Sequence, residues 1–180
     1  LLPADHRRGG AHERAVAMTK ACILESPVGR IRVTESKGAV TELSWTDARA
    51  TPPSTQVLRD AADQLAEYFA GRLTAFVLPL APEGTEHQKK VWTAMTEIPS
   101  GALRTYGDLA REIGSSARAV GTACGKNPIP IIVPCHRIVA TGGGIGGYSG
   151  RGGVETKRQL LNLEGVNLGG PNLEGDLFSR

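Results

Sequence analysis

The stretch "TYGDLAREIGSSARAVGTACGKNPIPIIVPCHRI", residues 105–138, carries the strongest fold signal in the chain. Its first part has apolar residues at the spacing of a helix face, namely Leu109, Ala110 and Ile113. Ser115 or Ser116 can cap a second helix, which should end at Asn127 because a proline follows. Two short helices joined through Gly114 form a helix-turn-helix outline. Such outlines also occur in proteins that never touch DNA, so the outline alone leaves the function open.

The second predicted helix has the composition of a surface that approaches another backbone closely. Arg118 stands near its start and Lys126 at its end. Small residues lie between them: Ala117, Ala119, Gly121, Thr122 and Ala123. Small side chains allow close approach, and the two cations suit a polyanion, so this helix favours a nucleic-acid duplex as its partner.

The segment after this helix is stiff and ends in a cysteine. Pro128, Pro130 and Pro134 each restrict φ and remove a backbone donor, so Cys135 is presented on a rigid mount. A free cysteine is more often a small buried hydrophobe than a reagent, and we interpret Cys22 and Cys124 in that way.

Cys135 differs from the other two cysteines because His136 and Arg137 follow it at once. A thiol with a pKa of about 8.5 is only slightly ionised at neutral pH, so a nucleophilic cysteine needs a base or positive potential nearby. His136 can be that base, directly or through water, and Glu164 can orient it if the last helix folds back. Arg137 can add positive potential or serve as a structural ion-pair partner. From the residues alone, core thiol and nucleophile both remain open.

A glycine-rich loop, "ATGGGIGGYSGRGG" at residues 140–153, can pass close to a ligand and offers Tyr148 and Ser149 as polar groups. The alternatives are a plain flexible linker and a surface tyrosine. The stretch "ETKRQLLNLEG" then predicts an amphipathic helix closed by Gly165.

The first half of the chain predicts a small α+β unit. Short apolar stretches alternate with turn signals over residues 19–45 and indicate an antiparallel meander, in which one face should carry Ala39, Thr41, Leu43 and Trp45. Ser54 can cap a helix with an apolar stripe of Leu58, Ala61, Ala62, Leu65 and Phe69. Residues 79–84 resemble a linker, and Thr85-x-x-Gln88 is a capping-box pattern that opens another helix, whose buried stripe is Val91, Trp92, Met95 and Ile98.

Charge and cysteine usage narrow the class of protein. The formal charge is +3, but residues 100–160 hold eight Lys/Arg and three Asp/Glu, so a polyanion should meet the second half. Three sparse cysteines do not form a disulfide framework, and no cluster resembles a zinc site. No apolar run is long enough for a membrane span, and the charged N-terminal stretch is unlike a secretory signal. We therefore expect a cytoplasmic protein, which would associate with the nucleoid if its polyanion partner is DNA.

The motifs "RAVG" (118–121), "NPIPIIVPCHRI" (127–138) and "GGYSG" (146–150), in that order, give the chain its resemblance to a known family. Residues 84–165 resemble the active-site domain of the O6-alkylguanine-DNA alkyltransferases, also called methylated-DNA–protein-cysteine methyltransferases. The resemblance implies an α+β fold: a small N-terminal antiparallel-sheet domain and a mainly helical C-terminal domain with a helix-turn-helix. The expected divisions are a flexible extension (1–18), the N-terminal domain (19–82), the active-site and DNA-binding domain (83–165) and a flexible tail (166–180).

The resemblance also implies catalytic roles, position by position. Cys135 matches the alkyl acceptor, His136 the base that acts through water and Glu164 the acid that polarises the histidine. Asn127 matches the asparagine that ties the helix-turn-helix together around the site. Tyr148 matches the residue whose hydroxyl faces the guanine.

Contacts with DNA and substrate follow in the same way. Tyr106 matches the tyrosine that crowds the target phosphate, and Arg118 the arginine that fills the vacated place in the base stack. Further DNA contacts are expected at Ser115, Ala119, Gly121, Lys126 and Arg137. The substrate pocket is expected to include Pro130, Ser149 and Gly150.

The implied activity is a single-turnover transfer of the alkyl group from O6-alkylguanine, and O4-alkylthymine is a further candidate substrate, to the protein's own cysteine. The expected partner is double-stranded DNA, bound through the minor groove by a monomer, with no cofactor, metal or membrane. His87 departs from the phenylalanine usual in bacterial members, and we interpret this as a local packing change. Two alternatives are a damage-marking DNA-binding protein, which Cys135 disfavours, and a Cys-His hydrolase, which would turn over repeatedly.

Overall fold

The structure, a computed structural model, describes residues 18–168. The N-terminal extension predicted for residues 1–18 lies outside the described residues except for Met18. Most of the predicted C-terminal tail, residues 169–180, lies outside them as well.

The described part of the chain starts with a three-stranded antiparallel sheet in the order β1-β2-β3. The strands are β1 (Lys20–Leu24), β2 (Ile31–Ser36) and β3 (Ala39–Trp45). The predicted meander is confirmed. Lys37 and Gly38 make the second turn with positive φ, which explains the glycine in the turn signal.

The predicted single face of β3 is wrong in one respect. A register shift between Thr34 and Glu35 pairs Thr34 with Glu42 but Glu35 with Val40, so the two strands are out of step by one residue. Val40 is therefore buried together with Leu43, while Thr41 is not. A strict period-two pattern cannot predict such a bulge. The extra residue moves every later side chain of the strand to the opposite face of the sheet.

Helix α1 (Gln56–Phe69) packs against the sheet. Thr55, not Ser54 as predicted, is its N-cap, because the Thr55 hydroxyl accepts from the Leu58 amide at 3.2 Å. Tyr68 is fully buried, whereas Phe69, which the predicted stripe included, is only half-buried.

The open edge of β3 is covered by segments that come from later in the chain. The Val40 amide donates to the Pro79 carbonyl and the Val40 carbonyl accepts from the Ala81 amide, both at 2.8 Å. Part of the predicted linker is thus an extension of the sheet. The Leu43 amide donates to the Pro128 carbonyl at 2.9 Å, which ties the sheet to the segment before Cys135.

Three helices follow: α2 (Glu86–Thr96), α3 (Tyr106–Ile113) and α4 (Ala117–Gly125). The predicted capping box of Thr85 and Gln88 is present at the start of α2. Gly114 ends α3 with a left-handed φ of 68°, and Ser116 caps α4. The predicted helix-turn-helix is therefore confirmed.

The chain then forms a 3-10 turn (Cys135–Arg137) and reaches β5 (Ile138–Val139), which pairs in parallel with β4 (Arg104–Thr105). Helix α5 (Val154–Leu163) packs against the 3-10 turn. One hydrophobic cluster includes residues of the sheet, of α1 to α5 and of the segment before Cys135. The predicted α+β fold class is confirmed, while the predicted domain boundaries remain a prediction. Within residues 18–168, no helix is long and apolar enough to cross a membrane.

Candidate active site

The segment that carries Cys135 is held by the side chain of Asn127. The Asn127 amide nitrogen donates to the Val133 carbonyl at 2.8 Å, and its oxygen accepts from the Ile129 amide at 3.0 Å. Between them Ile131 is fully buried with a φ of 74°, a conformation that a β-branched residue rarely adopts. Asn127 thus closes a strained turn just after α4, and the next residues deliver Cys135.

Cys135 is the first residue of the 3-10 turn, and only 5% of it is exposed. Burial raises the pKa of the Cys135 thiol, because a thiolate is poorly solvated there. The Asn127 side chain, by hydrogen bonding, and the charge of Lys157 both act to lower the same pKa. The site therefore provides specific stabilisation for a thiolate that burial alone would suppress.

His136 and Glu164 lie together behind the cysteine. The His136 Nε2 atom is 2.7 Å from Glu164 Oε1, and both side chains are buried. Burial acts to raise the pKa of Glu164, but hydrogen bonds from His136 and Arg137 outweigh it and hold the pKa below its ordinary value. The fold-back of the last helix, expected on sequence, does bring Glu164 to His136.

The protonation of His136 follows from these contacts. Burial lowers the pKa of His136, and Arg137 already neutralises Glu164, so the imidazole is neutral. An ionised carboxylate can only accept, so Nε2 carries the hydrogen and Nδ1 the lone pair. The Nδ1 atom is buried and has no hydrogen-bond partner among the described residues. It is therefore able to take a proton.

Arg137 does not have the DNA-binding role predicted for it. Its side chain is only 7% exposed and donates to both oxygens of Glu164 at 2.9 Å, and also to the Ile98 carbonyl at 2.5 Å. A guanidinium enclosed in this way cannot reach a phosphate. The structure instead contains the other predicted role of Arg137, a structural ion pair, and its partner is Glu164.

Two further residues of the site were missed on sequence. The Tyr68 hydroxyl donates to Glu164 Oε1 at 2.8 Å from the far end of α1. Lys157 is fully buried, and its Nζ donates to the carbonyls of Ile138 at 2.5 Å and Gly147 at 3.1 Å. Lys157 could have been noticed, because it occupies the apolar stripe of α5 four residues before the buried Leu161. Nothing in the sequence near Tyr68 indicates its contact.

Cys135 opens into a cavity of about 270 Å³. The cavity is lined by Tyr106, Gly121, Cys124, Gly125, Cys135, Gly147, Tyr148 and Ser149. The Tyr148 hydroxyl is buried and has no hydrogen-bond partner within residues 18–168. A hydroxyl of this kind on a cavity wall is suited to a polar atom of a bound molecule.

The predicted pocket residues lie around two adjoining spaces. Ser149 lines both the Cys135 cavity and a neighbouring depression of about 450 Å³, and Pro130 and Gly150 line the depression, so their contact with substrate stays a prediction. Pro130 is buried, and its segment is tied to the sheet by the hydrogen bond from Leu43 to the Pro128 carbonyl. Cys124, predicted as a core thiol, is 7% exposed and lies on the cavity wall, and burial raises its pKa to about 12. At neutral pH it is therefore a thiol.

The residues predicted to contact DNA lie on and around α4. Arg118 and Lys126 are exposed at its two ends, and Ala119 and Gly121 are partly exposed along it. Tyr106, at the start of α3, lines the Cys135 cavity and lies 3.8 Å from the position that a Cβ atom would take on Gly121. A Cβ atom at that position would make only an ordinary van der Waals contact with Tyr106.

Ser115 has a partner that the sequence did not reveal. Its hydroxyl is 2.8 Å from His87 Nε2. His87 thus joins the start of α2 to the turn between α3 and α4. This contact is consistent with the interpretation of His87 as a local packing change.

Two family models match the chain. One, described as "6-O-methylguanine DNA methyltransferase, DNA binding domain", matches residues 86–166, and the other, described as its "ribonuclease-like domain", matches residues 20–82. The chain belongs to the 6-O-methylguanine DNA methyltransferase family.

Individual members of the 6-O-methylguanine DNA methyltransferase family are similar over most of their length. The methylated-DNA–protein-cysteine methyltransferase of Methanosarcina acetivorans is 43% identical over 152 residues, which cover 79% of this chain and 96% of the relative. The constitutive enzyme of Bacillus subtilis is 39% identical, with 79% and 93% covered.

Solved structures of the family are similar as well. The crystal structure of Mycobacterium tuberculosis O6-methylguanine methyltransferase has a TM-score of 0.73 and 41% identity, covering 82% of this chain and 93% of the other. A structure of the M. tuberculosis protein in complex with DNA has a TM-score of 0.71 and 39% identity, covering 82% and 95%.

Proposed function

We propose that this protein repairs alkylated DNA by moving the alkyl group from O6-alkylguanine to Sγ of Cys135. The observation that carries the proposal is the buried Cys135 thiol on a cavity wall, with a neutral histidine and its carboxylate behind it. On the same wall is the Tyr148 hydroxyl, which has no hydrogen-bond partner within residues 18–168. The relatives named as methylated-DNA–protein-cysteine methyltransferases support this reading.

The residues have complementary tasks in the transfer. His136 Nδ1 takes the thiol proton, through a water molecule, while Glu164 and Arg137 hold the ring in the required tautomer. The Cys135 thiolate attacks the saturated alkyl carbon, the bond from that carbon to O6 breaks, and its electron pair leaves with the guanine. The Tyr148 hydroxyl donates to the base as negative charge develops on it.

The product limits the protein to a single event. A thioether at Cys135 has no good leaving group for water, unlike the thioester of a Cys-His hydrolase. The protein is therefore consumed stoichiometrically, and O4-alkylthymine is a further candidate substrate.

We further propose that the damaged strand is reached through the minor groove, with α4 against the duplex. The exposed cations and small residues of α4 suit close approach to a backbone, and the relative crystallised with DNA supports a DNA partner. The target nucleotide must leave the stack, because Cys135 is only 5% exposed and a base inside the duplex cannot reach its thiol. Arg118 fills the vacated place, and Tyr106 crowds the target phosphate at the cavity entrance.

The decisive experiment is an intact-mass measurement after mixing with a duplex that contains O6-methylguanine. One methyl group should be added per protein, and peptide mapping should locate it on Cys135. Cys135→Ser should abolish the transfer, while Cys22→Ala, which removes a buried thiol of β1, should retain it. Repeated turnover with an unmodified Cys135 would refute the proposal and favour a hydrolase.

A further inference from the structure

The N-terminal sheet reaches the loop that carries Tyr148. Trp45, the last residue of β3, is anchored by its indole Nε1, which donates to the Val28 carbonyl at 2.9 Å. Its ring meets the Tyr148 ring edge-on, with the centroids 6.3 Å apart and the planes at 86°. Aromatic pairs favour this arrangement, so the indole is a fixed support for the phenol.

Gly150 makes the contact possible. A Cβ atom at Gly150 would lie 2.6 Å from the Trp45 ring and 2.4 Å from the Tyr148 ring, closer than any real contact. The loop therefore passes between the two rings without a side chain of its own. Its conformation at this point depends on both rings.

An ion pair next to the rings joins the same two parts of the chain. Arg151 Nη1 and Nη2 donate to the two carboxylate oxygens of Asp47 at 2.7 and 2.9 Å. Arg30 also donates to the Asp47 carbonyl at 3.2 Å, which holds the backbone at the end of the sheet. The bidentate geometry fixes direction as well as distance. The pair is exposed, so it adds little to global stability, but it restrains a loop that is otherwise rich in glycine.

We propose that Trp45 and the Asp47–Arg151 ion pair are positioning residues that hold the Tyr148 hydroxyl at the Cys135 cavity. Lys157 fixes one side of the loop through Gly147, and the sheet fixes the other side through Trp45 and Asp47. Without the second restraint the phenol samples orientations in which its hydroxyl does not meet the leaving guanine. This inference rests on the proposed alkyl transfer and assigns to the sheet a part in setting its rate.

The test compares single-turnover rates of Trp45→Ala, Trp45→Phe and Asp47→Asn with free O6-benzylguanine, a probe that needs no duplex contacts. A small displacement of a catalytic group from its productive position lowers the reaction rate steeply. We therefore expect the maximal rate of Trp45→Ala to fall about tenfold and that of Trp45→Phe to fall by less. Asp47→Asn should be slower, and the swapped double variant Asp47→Arg with Arg151→Asp should recover part of the loss. Glu67→Gln removes one partner of another exposed bidentate ion pair, with Arg72, and should have no effect.

A Tyr148→Phe background separates positioning from general damage. If Trp45 acts through the Tyr148 hydroxyl, Trp45→Ala should cause little further loss once that hydroxyl is absent. Multiplicative losses in the double variant would overturn the proposal, as would wild-type rates for both Trp45→Ala and Asp47→Asn. Wild-type protein is measured first: failure to alkylate Cys135 there would refute the proposed function, whereas normal wild-type transfer with unaffected variants would refute only the positioning role.

Discussion

At Cys135, burial and the nearby positive charge act on the same thiol in opposite directions. Burial raises its pKa, whereas Asn127 and Lys157 act to lower it. Burial also lowers the pKa of Lys157 to about 8, so its ammonium persists at neutral pH and is lost in mildly alkaline solution. Around neutral pH, therefore, the Lys157 ammonium supports the thiolate while His136 is neutral.

Lys157→Met should therefore shift the pH profile of alkyl transfer to higher pH. Removing the ammonium raises the pKa of Cys135, and each added pKa unit reduces the thiolate at a given lower pH about tenfold. The difference from wild type should narrow above about pH 8, where Lys157 itself is neutral. Rates with O6-benzylguanine measured across pH check this.

A matched control for Lys157→Met is Lys90→Met, which removes an ammonium that likewise donates to a backbone carbonyl, that of Ile113. Its profile should match that of wild type. If the pH profile of Lys157→Met is unshifted, the ammonium only holds the loop through its hydrogen bond to Gly147 and does not lower the pKa of Cys135.

Tyr68→Phe tests the support of Glu164 from α1. The variant keeps the ring, which packs against Phe69 and Phe76 with centroids at 5.3 Å, but removes the donor to the carboxylate. Loss of a hydrogen bond to a buried charge should lower the free energy of unfolding by about 1.5–3 kcal/mol. Denaturant unfolding measures this, and a free energy equal to that of wild type would mean that water replaces the hydroxyl.

At the scale of elements, α3 and α4 could be predicted in detail because their signals are local. Capping residues, the apolar stripe and Gly114 all act within one or two helical turns. The strand β3 was predicted less well, because its bulge depends on pairing with β2. Local chemistry determines a helix more completely than it determines a strand.

Arg118→Ala tests the proposed role of α4. Repair of O6-methylguanine in a duplex should slow at least about tenfold, because the vacated place in the stack is then unfilled, while the reaction with free O6-benzylguanine should be unchanged. Parallel single-turnover assays with the two substrates make the comparison. An equal loss on both would contradict a role in nucleotide flipping.

At the scale of the whole molecule, the buried His136–Glu164–Arg137 network couples stability to pH. The folded-state pKa values of His136 and Glu164 both lie below their ordinary values of 6.5 and 4.5. The unfolded chain therefore binds more protons as the pH falls through each ordinary value, and stability decreases with it.

The melting temperature should accordingly be steady between about pH 6.5 and pH 8, fall below pH 6.5 and fall further below about pH 4.5. Glu164→Gln should be less stable at neutral pH but should lose less stability between about pH 4.5 and pH 3 than wild type does. Calorimetric or fluorescence melts over that range test this. Parallel acid slopes for the two proteins would place the titrating group elsewhere.

Local signals were sufficient for the meander, the helix-turn-helix and the rigid mount of Cys135, and the motif order was sufficient for the family. Proline, glycine and capping residues restrict only the backbone near them, so their structural effect can be predicted from the sequence. Two long-range contacts could not be predicted in this way. Tyr68 contacts Glu164, which is 96 residues away, and Asp47 contacts Arg151, which is 104 residues away. These contacts exist because the sheet and α1 pack against the turn and loop around Cys135. Burial strengthens the contact of Tyr68 with Glu164, whereas the Asp47–Arg151 pair stays exposed. Arg137 was misassigned for the same reason: its charge is visible in the sequence, but its burial belongs to the folded molecule.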